Sequence, residues 1–402
     1  MIRPFDLNLR HLRALGQVIA QGSLNRAAEA VGLSQPALTQ GLAKLERQLG
    51  VTLFDRHPDG VTPSVAGTAL ADRVGRAFDQ LAAASRRSAR RGTRGFARPE
   101  MLMTATQLDA YLHFANAQGF AGASASSGMS QPAVHRAVRE LEQVCATPLA
   151  ERRGRGMALT PAGRALARGV RLAASEIAAG IAEARGADGD GGRIAIGAMP
   201  LSRALLLPHS LAEFLRDEPR TIVDVVEGSW RELVDPLLDG VIDIMVGALR
   251  EDCPPGIDQL PLFTDRLAIF GRRGHPLAGT SVDLDTLAAQ SWVVGPVGTP
   301  LRAHWEALFA GRAPPPVPVE CGSVMVIRGL LAQSDLLTLL SPDQVALEVR
   351  AGMLEAIGPD LPDAVRTIGI STRAGWRPTR AQSRMIALLQ RASDETRVQE
   401  IG

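Results

Sequence analysis

Ser34-Gln35-Pro36-Ala37 and Ser130-Gln131-Pro132-Ala133 are the same four letters, met twice in one chain of 402 residues and 96 positions apart. The offset holds without a gap over a longer span. Leu12 falls on Leu108, Ala14 on Ala110, Ala27 on Ala123 and Gly32 on Gly128. Further on, Leu45-Glu46 falls on Leu141-Glu142, Leu53 on Leu149, Arg56 on Arg152 and Ala66-Gly67 on Ala162-Gly163. A fixed period over some fifty residues means a duplicated domain.

The first copy reads as helix, short turn, helix. Leu9, Leu12, Leu15 and Val18 recur at helical spacing until Gly22-Ser23 breaks the pattern, and Leu24 to Val31 is a short Ala-rich helix stopped by Gly32. Ser34 is a good N-cap, and Pro36 is tolerated in the first turn because its missing N–H would be unpaired there anyway. The helix that follows runs to about Leu49, with Leu38, Leu42, Leu45 and Leu49 on its inner face. In this arrangement the second helix is free to enter a major groove. Val51 to Phe54 and Val61-Thr62 flank the turn Pro58-Asp59-Gly60 and make a small hairpin, or wing. Ser64 then caps a long helix to about Arg90. Copy two repeats the order: Leu108, Tyr111 and Phe114 on one helix face, Phe120 to Ser127, a recognition helix from Ser130 to Val144, a wing at Arg152 to Gly156, and a long helix from Thr160 to about Arg185. Arg86 to Arg98, rich in Arg, Gly and Ser, reads as a mobile basic linker, and Ala187 to Gly192 as a second linker.

From Arg193 onward the pattern changes. Candidate strands are 193–198, 221–227, 242–246, 266–270, 292–294, 317–320, 337–340 and 366–370, with helical patterns at 202–216, 229–238, 301–309, 324–333 and 379–391. Strands alternating with helices imply α/β units.

Composition narrows the function. Residues 1–190 hold 24 Arg plus Lys against 16 Asp plus Glu, a net +8, while residues 191–402 hold 20 against 26, a net −6. The basic half suits a polyanionic partner. No apolar run reaches eighteen residues and Met1 to Arg10 lacks signal-peptide features, so neither a membrane span nor export is expected. Cys145, Cys253 and Cys321 form no CxxC and read as reduced thiols of a cytoplasmic protein. No Zn-like cluster or catalytic constellation surrounds His275, so no metal, no cofactor and no enzyme is expected.

The run Leu12-x-x-Leu-x-x-Val18, Gly22-Ser-Leu-x-x-Ala-Ala28, Leu33-Ser-Gln-Pro-Ala-Leu38, Leu45-Glu46 and Leu53-Phe-x-Arg56 resembles the N-terminal winged helix-turn-helix of the LysR-type transcriptional regulators. Leu237-x-x-Gly-x-Ile-Asp-Ile-Met-Val246 and Gly274-His-Pro-Leu277 resemble that family's C-terminal domain. The resemblance covers about Leu9 to Ala392. It implies two all-α winged helix-turn-helix domains with long linker helices, then a two-lobed α/β domain of the type 2 periplasmic-binding-protein kind. The boundaries are 7–66 and 104–162 for the two readers, 67–98 and 163–186 for the helices and linker, and 193–395 for the effector domain. Within the last, lobe one takes 193–262 with 376–395 and lobe two takes 263–375. Ordinary members have one helix-turn-helix. In copy two Ser127, Cys145, Ala146 and Ala150 replace Val31, Leu49, Gly50 and Phe54, so either neighbours repack or the copy is less stable.

Expected DNA-contacting residues are Ser34, Gln35, Pro36, Thr39, Gln40 and Arg56 in copy one, and Ser130, Gln131, Pro132, His135, Arg136, Arg152 and Arg153 in copy two. A Gln amide pairs with adenine, an Arg with guanine, and wing arginines suit phosphate. For the effector, the resemblance implies a cleft between the lobes. Ser202, Ser229, Thr299 and Ser323 are read as helix starts facing it, with Arg203 or Arg302 adding a charge-assisted bond to a carboxylate and Trp230 stacking on a flat ligand. The expected partners are double-stranded DNA, a small anionic metabolite, RNA polymerase and a second copy in a homodimer or homotetramer whose long helices pair. Copy two is expected to hold the oligomer together while copy one discriminates bases. In a second reading, copy two is a structural module only.

Overall fold

The structure, a computed structural model, describes the backbone of residues 2–57, 60–88, 96–117, 119–154, 156–186, 192–202, 204 and 206–401, and the side chains of these apart from 56, 87, 88 and 395–401. The chain divides into two compact units, the first comprising residues 1–192 and the second most of 193–402. The turn at Pro58-Asp59 and most of the two expected linkers lie outside the described residues.

In the first unit one order of elements occurs twice: α1 (Leu9–Gln21), α2 (Leu24–Ala30), α3 (Gln35–Leu49), the hairpin β1 (Phe54–His57) with β2 (Gly60–Pro63), and α4 (Val65–Ser88); then α5 (Ala105–Ala117), α6 (Phe120–Ser127), α7 (Gln131–Cys145), the hairpin β3 (Ala150–Arg153) with β4 (Gly156–Leu159), and α8 (Pro161–Arg185). The caps are those the sequence predicts. Ser34 Oγ accepts from Ala37 N, Ser130 Oγ from Ala133 N and Thr160 Oγ1 from Gly163 N.

Two features explain which letters the repeat keeps. Glu46 Oε1 accepts from Leu53 N at 2.8 Å and from Phe54 N, and Glu142 Oε1 accepts from Leu149 N at 2.9 Å and from Ala150 N. Each glutamate thereby ties its recognition helix to its wing and satisfies backbone donors with no strand partner. At Gly67 and Gly163 the long helix starts so close to the wing that a Cβ would lie 2.0 Å from the carbonyl oxygen of Leu53 or Leu149. Only glycine fits there.

Copy two is repacked rather than hollow. Its large-to-small changes accompany small-to-large ones: Tyr111 stands at the Leu15 position, Phe114 at Val18 and Phe120 at Leu24. Tyr111 is buried and its hydroxyl donates to Gly163 O at 2.8 Å. Phe114 and Phe120 stack with centroids 4.6 Å apart. Burial pushes the Cys145 thiol up to about 12, so at the Leu49 position it is a small neutral filler. Ala146 keeps the left-handed turn of Gly50 at φ 51°, an alanine in a conformation that favours glycine.

One hydrophobic core runs through both copies, and its spine is α4 against α8. The helices touch closely. A Cβ on Gly169 would meet Ala84 Cβ at 2.2 Å, and one on Gly180 would meet Arg73 Cβ and Leu70 Cδ1 at 3.0 Å. Arg73, 1% exposed, lies between Glu176 (Nη1–Oε2 3.1 Å) and Glu183 (Nη2–Oε1 2.5 Å). The long helices α4 and α8 thus pair with each other within one chain.

The second unit is α/β, as expected. It comprises β5 (Arg193–Ala198), α9 (Leu206–Asp217), β6 (Ile222–Glu227), α10 (Trp230–Leu238), β7 (Ile244–Ala248), β8 (Ile257–Arg266), β9 (Ala268–Arg272), α11 (Leu284–Ala288), β10 (Val293–Val294), α12 (Pro300–Leu308), β11 (Val319–Glu320), α13 (Val324–Leu331), β12 (Thr338–Leu340), α14 (Pro342–Arg350), β13 (Leu354–Ala356), β14 (Val365–Arg373) and α15 (Arg380–Ile401). One sheet has the order β6-β5-β7-β14-β8; β12-β9-β13 and the parallel pair β10-β11 form the other part. The two parts have separate cores.

Three expectations change here. The strand β8 was not legible, because Pro261 interrupts it; the proline sits where the β8–β14 register shifts between Ile368 and Gly369. β14 hydrogen-bonds into the first sheet, so residues 365–373 belong with lobe one rather than lobe two. The first helix opens at Leu206, not at Ser202. His275 is buried in a turn: Nδ1 accepts from Leu277 N at 3.1 Å and Nε2 faces Asp335 O at 3.2 Å, so its role is structural.

Arg73→Ala would leave Glu176 and Glu183 without their buried cation. It should lower unfolding stability by about 3–5 kcal/mol, read as a lower urea midpoint for the first unit's transition; a change within about 0.5 kcal/mol, the range of ordinary surface substitutions, would mean that the pair is idle.

Candidate nucleic-acid interface and effector cleft

The two recognition helices, α3 and α7, bury Leu38, Leu42, Leu45 and Leu49, and Val134, Val138, Leu141 and Cys145, on one face. Their opposite faces are open at the N-terminal end. Ser34, Gln35, Pro36 and Gln40 are exposed or half-exposed, as are Ser130, Gln131, Pro132, His135 and Arg136. The helix N-terminal end beside exposed amide and guanidinium groups is suited to a phosphate and to base edges. The Thr39 hydroxyl donates to Gln35 O at 2.9 Å, and its Oγ1 accepts from Gln35 Nε2 at 3.4 Å. At the Thr39 position of copy two stands His135. Its ring lies on Phe120 with centroids 5.0 Å apart, which fixes where the imidazole points. Arg152 and Arg153 are exposed on β3. Arg56 stands at the equivalent place on β1, and its side chain lies outside the described residues.

The effector expectations fare differently. Ser202 is fully buried and donates to Met199 O at 2.9 Å, so it presents no free hydroxyl. Ser229 donates from both N and Oγ to Glu232 Oε2 at 2.7 and 2.8 Å, and these bonds hold the Glu232 carboxyl below its usual range. A carboxylate ligand at Ser229 would meet that charge. Thr299 caps α12, accepting from Arg302 N while its hydroxyl donates to Pro296 O. Ser323 caps α13 without a side-chain bond and is exposed. Arg302 is bound by Glu306 at 2.7 Å and Glu320 at 3.4 Å and lies over Trp305, so it is neutralised. Arg203 lies outside the described residues. Trp230 is half-buried, with the Arg250 guanidinium 5.7 Å from its ring centroid.

Sequence reasoning missed a cationic group that the fold brings together where the two parts of the unit meet. Arg250 follows β7, Arg231 lies on α10, Arg366 on β14 and His304 on α12. Burial, then Arg231 and Arg366, lower the Arg250 pKa; burial, then Arg366, lower that of His304. Arg231 reaches the second part, since a Cβ on Gly298 would lie 3.0 Å from its Nη2. The carboxylate within reach, Asp265, is shared by Arg366 Nε at 2.7 Å and Ser341 Oγ at 2.6 Å. Arg250 Nε, Arg366 Nη2 and Ser371 Oγ are buried without a hydrogen-bond partner. Arg250 lies near Arg231 and Arg366, only Arg366 is shown paired with Asp265, and Arg250 and Arg366 keep unpartnered buried donors, so the group is net positive and partly desolvated. No spacing in the sequence signals it, because the four residues come from four separate elements.

Cys253, whose neighbour Arg250 could have marked it as an oxidant sensor, has its pKa raised by burial and by Asp258, the opposite of an activated thiol. Among the described residues no helix is long and apolar enough to cross a membrane, and no His, Cys, Asp and Glu group is placed to hold a metal ion.

Known proteins agree with this layout. The family model for the bacterial regulatory helix-turn-helix protein, LysR family, matches residues 9–68 and again 105–164, and that for the LysR substrate binding domain matches 187–394. The HTH-type transcriptional regulator GalR of Pseudomonas putida is 31% identical over 394 residues, spanning 96% of this chain and 98% of its own. The SDS degradation transcriptional activation protein of a Pseudomonas species is 30% identical, over 70% of this chain and 94% of its own. Among solved structures, ArgP from Mycobacterium tuberculosis superposes with a TM-score of 0.59 at 17% identity, covering 71% of this chain and 96% of that one. Full-length CbnR in complex with its target DNA gives 0.52 at 21% identity, over 71% and 98%; both show the shared fold. The chain is therefore a DNA-binding transcriptional regulator of the LysR family, with a substrate-binding domain and no enzymatic role.

Proposed function

We propose that this regulator reads DNA with both of its helix-turn-helix copies and is controlled by a small organic anion held between the two lobes of its C-terminal domain. The carrying observation for DNA is that Gln35 and Gln40, and Gln131 and Arg136, stand at the open ends of equivalent helices. RNA polymerase in the cytoplasm is the partner on which such a regulator acts. For the effector, the carrying observation is the group of Arg231, Arg250 and Arg366, whose leftover buried donors would be satisfied by a carboxylate. That group replaces Ser202 and Arg302 as the proposed seat. Ser229, Thr299, Ser323 and Trp230 are left as rim residues.

Fluorescence anisotropy on a duplex from the promoter of its own gene should show binding that weakens steeply with salt, by about −0.9 in log–log slope per phosphate neutralised. Arg152→Ala with Arg153→Ala should flatten that slope by about 1 for each phosphate no longer neutralised. Failure of the wild type to bind even at low salt would refute the DNA reading.

Thermal-shift screening of mono- and dicarboxylates on the full chain should find a stabilising ligand whose effect disappears in Arg250→Ala. A ligand that stabilises this variant as much as the wild type sits elsewhere.

A further inference from the structure

The packing of α4 on α8 carries an internal symmetry. Gly169 packs on Ala84; moving each residue by the 96-residue period into the other copy gives Arg73 and Gly180, and Gly180 packs on Arg73. Gly169 also packs on Gln80 O; the same exchange gives Arg73 with Glu176, and these are ion-paired at 3.1 Å. Each of these pairings therefore has a mate with the roles of the copies reversed. That is the signature of an antiparallel pair about a two-fold axis, here between two parts of one chain.

The symmetry is in the backbone and not in the side chains. At the positions of Glu176 and Glu183, copy one has Gln80 and Arg87; at the position of Arg73, copy two has Gly169. Two α4 helices packed this way would set Arg73 against Gln80, and neither position 80 nor position 87 holds a carboxylate. Two α8 helices would set Glu176 and Glu183 against a glycine. Only α4 with α8 pairs the buried charge, so the interface favours unlike copies over like ones.

The reading faces are unlike too. Ser34-Gln35-Pro36 matches Ser130-Gln131-Pro132, but Thr39-Gln40 faces His135-Arg136. An exposed Gln pairs with adenine N6 and N7, an exposed Arg with guanine O6 and N7. We infer that one chain is the complete two-fold DNA reader: it takes both halves of a single operator, inverted with respect to each other, alike where Gln35 and Gln131 read and unlike one step away, where Gln40 selects adenine and Arg136 guanine. This rests on the DNA-binding reading above. Self-association, where it occurs, then joins readers that are already paired, through surfaces other than the α4–α8 seam.

Selection from a random-sequence duplex pool with the full chain tests it. The wild type should enrich an inverted bipartite site with fixed spacing and two unlike halves. Gln40→Ala should relax one half only and Arg136→Ala the other only. A single half-site overturns the inference because one copy alone would then read, and two identical halves that both relax in Gln40→Ala overturn it because copy one would then be supplied by two chains. Enrichment of no motif at all refutes the DNA-binding reading itself, and is distinct from either result.

Discussion

A guanidinium buried between two carboxylates sets how the two long helices of the first unit pair. Arg73 is out of water, and the fold tolerates it because Glu176 and Glu183 both reach it from the other long helix. Burying an unpaired arginine costs several kcal/mol, whereas a well-placed pair roughly offsets its own desolvation. The ion pair thus adds less to net stability than to the choice of partner. It makes α4 prefer α8, fixes the register of two helices that otherwise meet mostly through apolar side chains, and so sets the relation of the two helix-turn-helix copies. Gly169 and Gly180 let the helices approach closely enough for that register to be rigid.

Within each copy, a second carboxylate does the equivalent work at short range. Glu46 and Glu142 hold their wings to their recognition helices by the same pair of backbone bonds. The rest of the copy is free to change around that tie. Copy two exchanges Leu49 for Cys145 and Phe54 for Ala150, and carries the larger Tyr111, Phe114 and Phe120 at the Leu15, Val18 and Leu24 positions. The aromatic stack then reaches the surface at His135, so a repacked interior alters a residue on the reading face.

In the second unit, charge is arranged by convergence. Arg231, Arg250, Arg366 and His304 lie far apart in sequence and meet because β14 returns from the second part to pair with both β7 and β8. Arg302, by contrast, looks like a ligand contact in one dimension and is used up locally by Glu306 one turn along its own helix. A helix-start serine or threonine is engaged locally before it is anything else: Thr299 accepts from Arg302 N, and Ser229 donates to Glu232.

The chain's own letters determined the 96-residue repeat and the order of elements it carries, the α/β character of the remainder and the family. These are readable because caps, helical periodicity and tight glycines are local or recur at a fixed period: Ser34 and Ser130, Glu46 and Glu142, Gly67 and Gly163. Tertiary structure alone decided that the long helices pair within the chain, that β8 survives its proline, that residues 365–373 return to the first sheet, and that the net positive group is Arg231, Arg250 and Arg366 rather than Arg302. Each of these depends on which distant segments come within a few ångströms of one another, and a one-dimensional pattern carries no record of that distance.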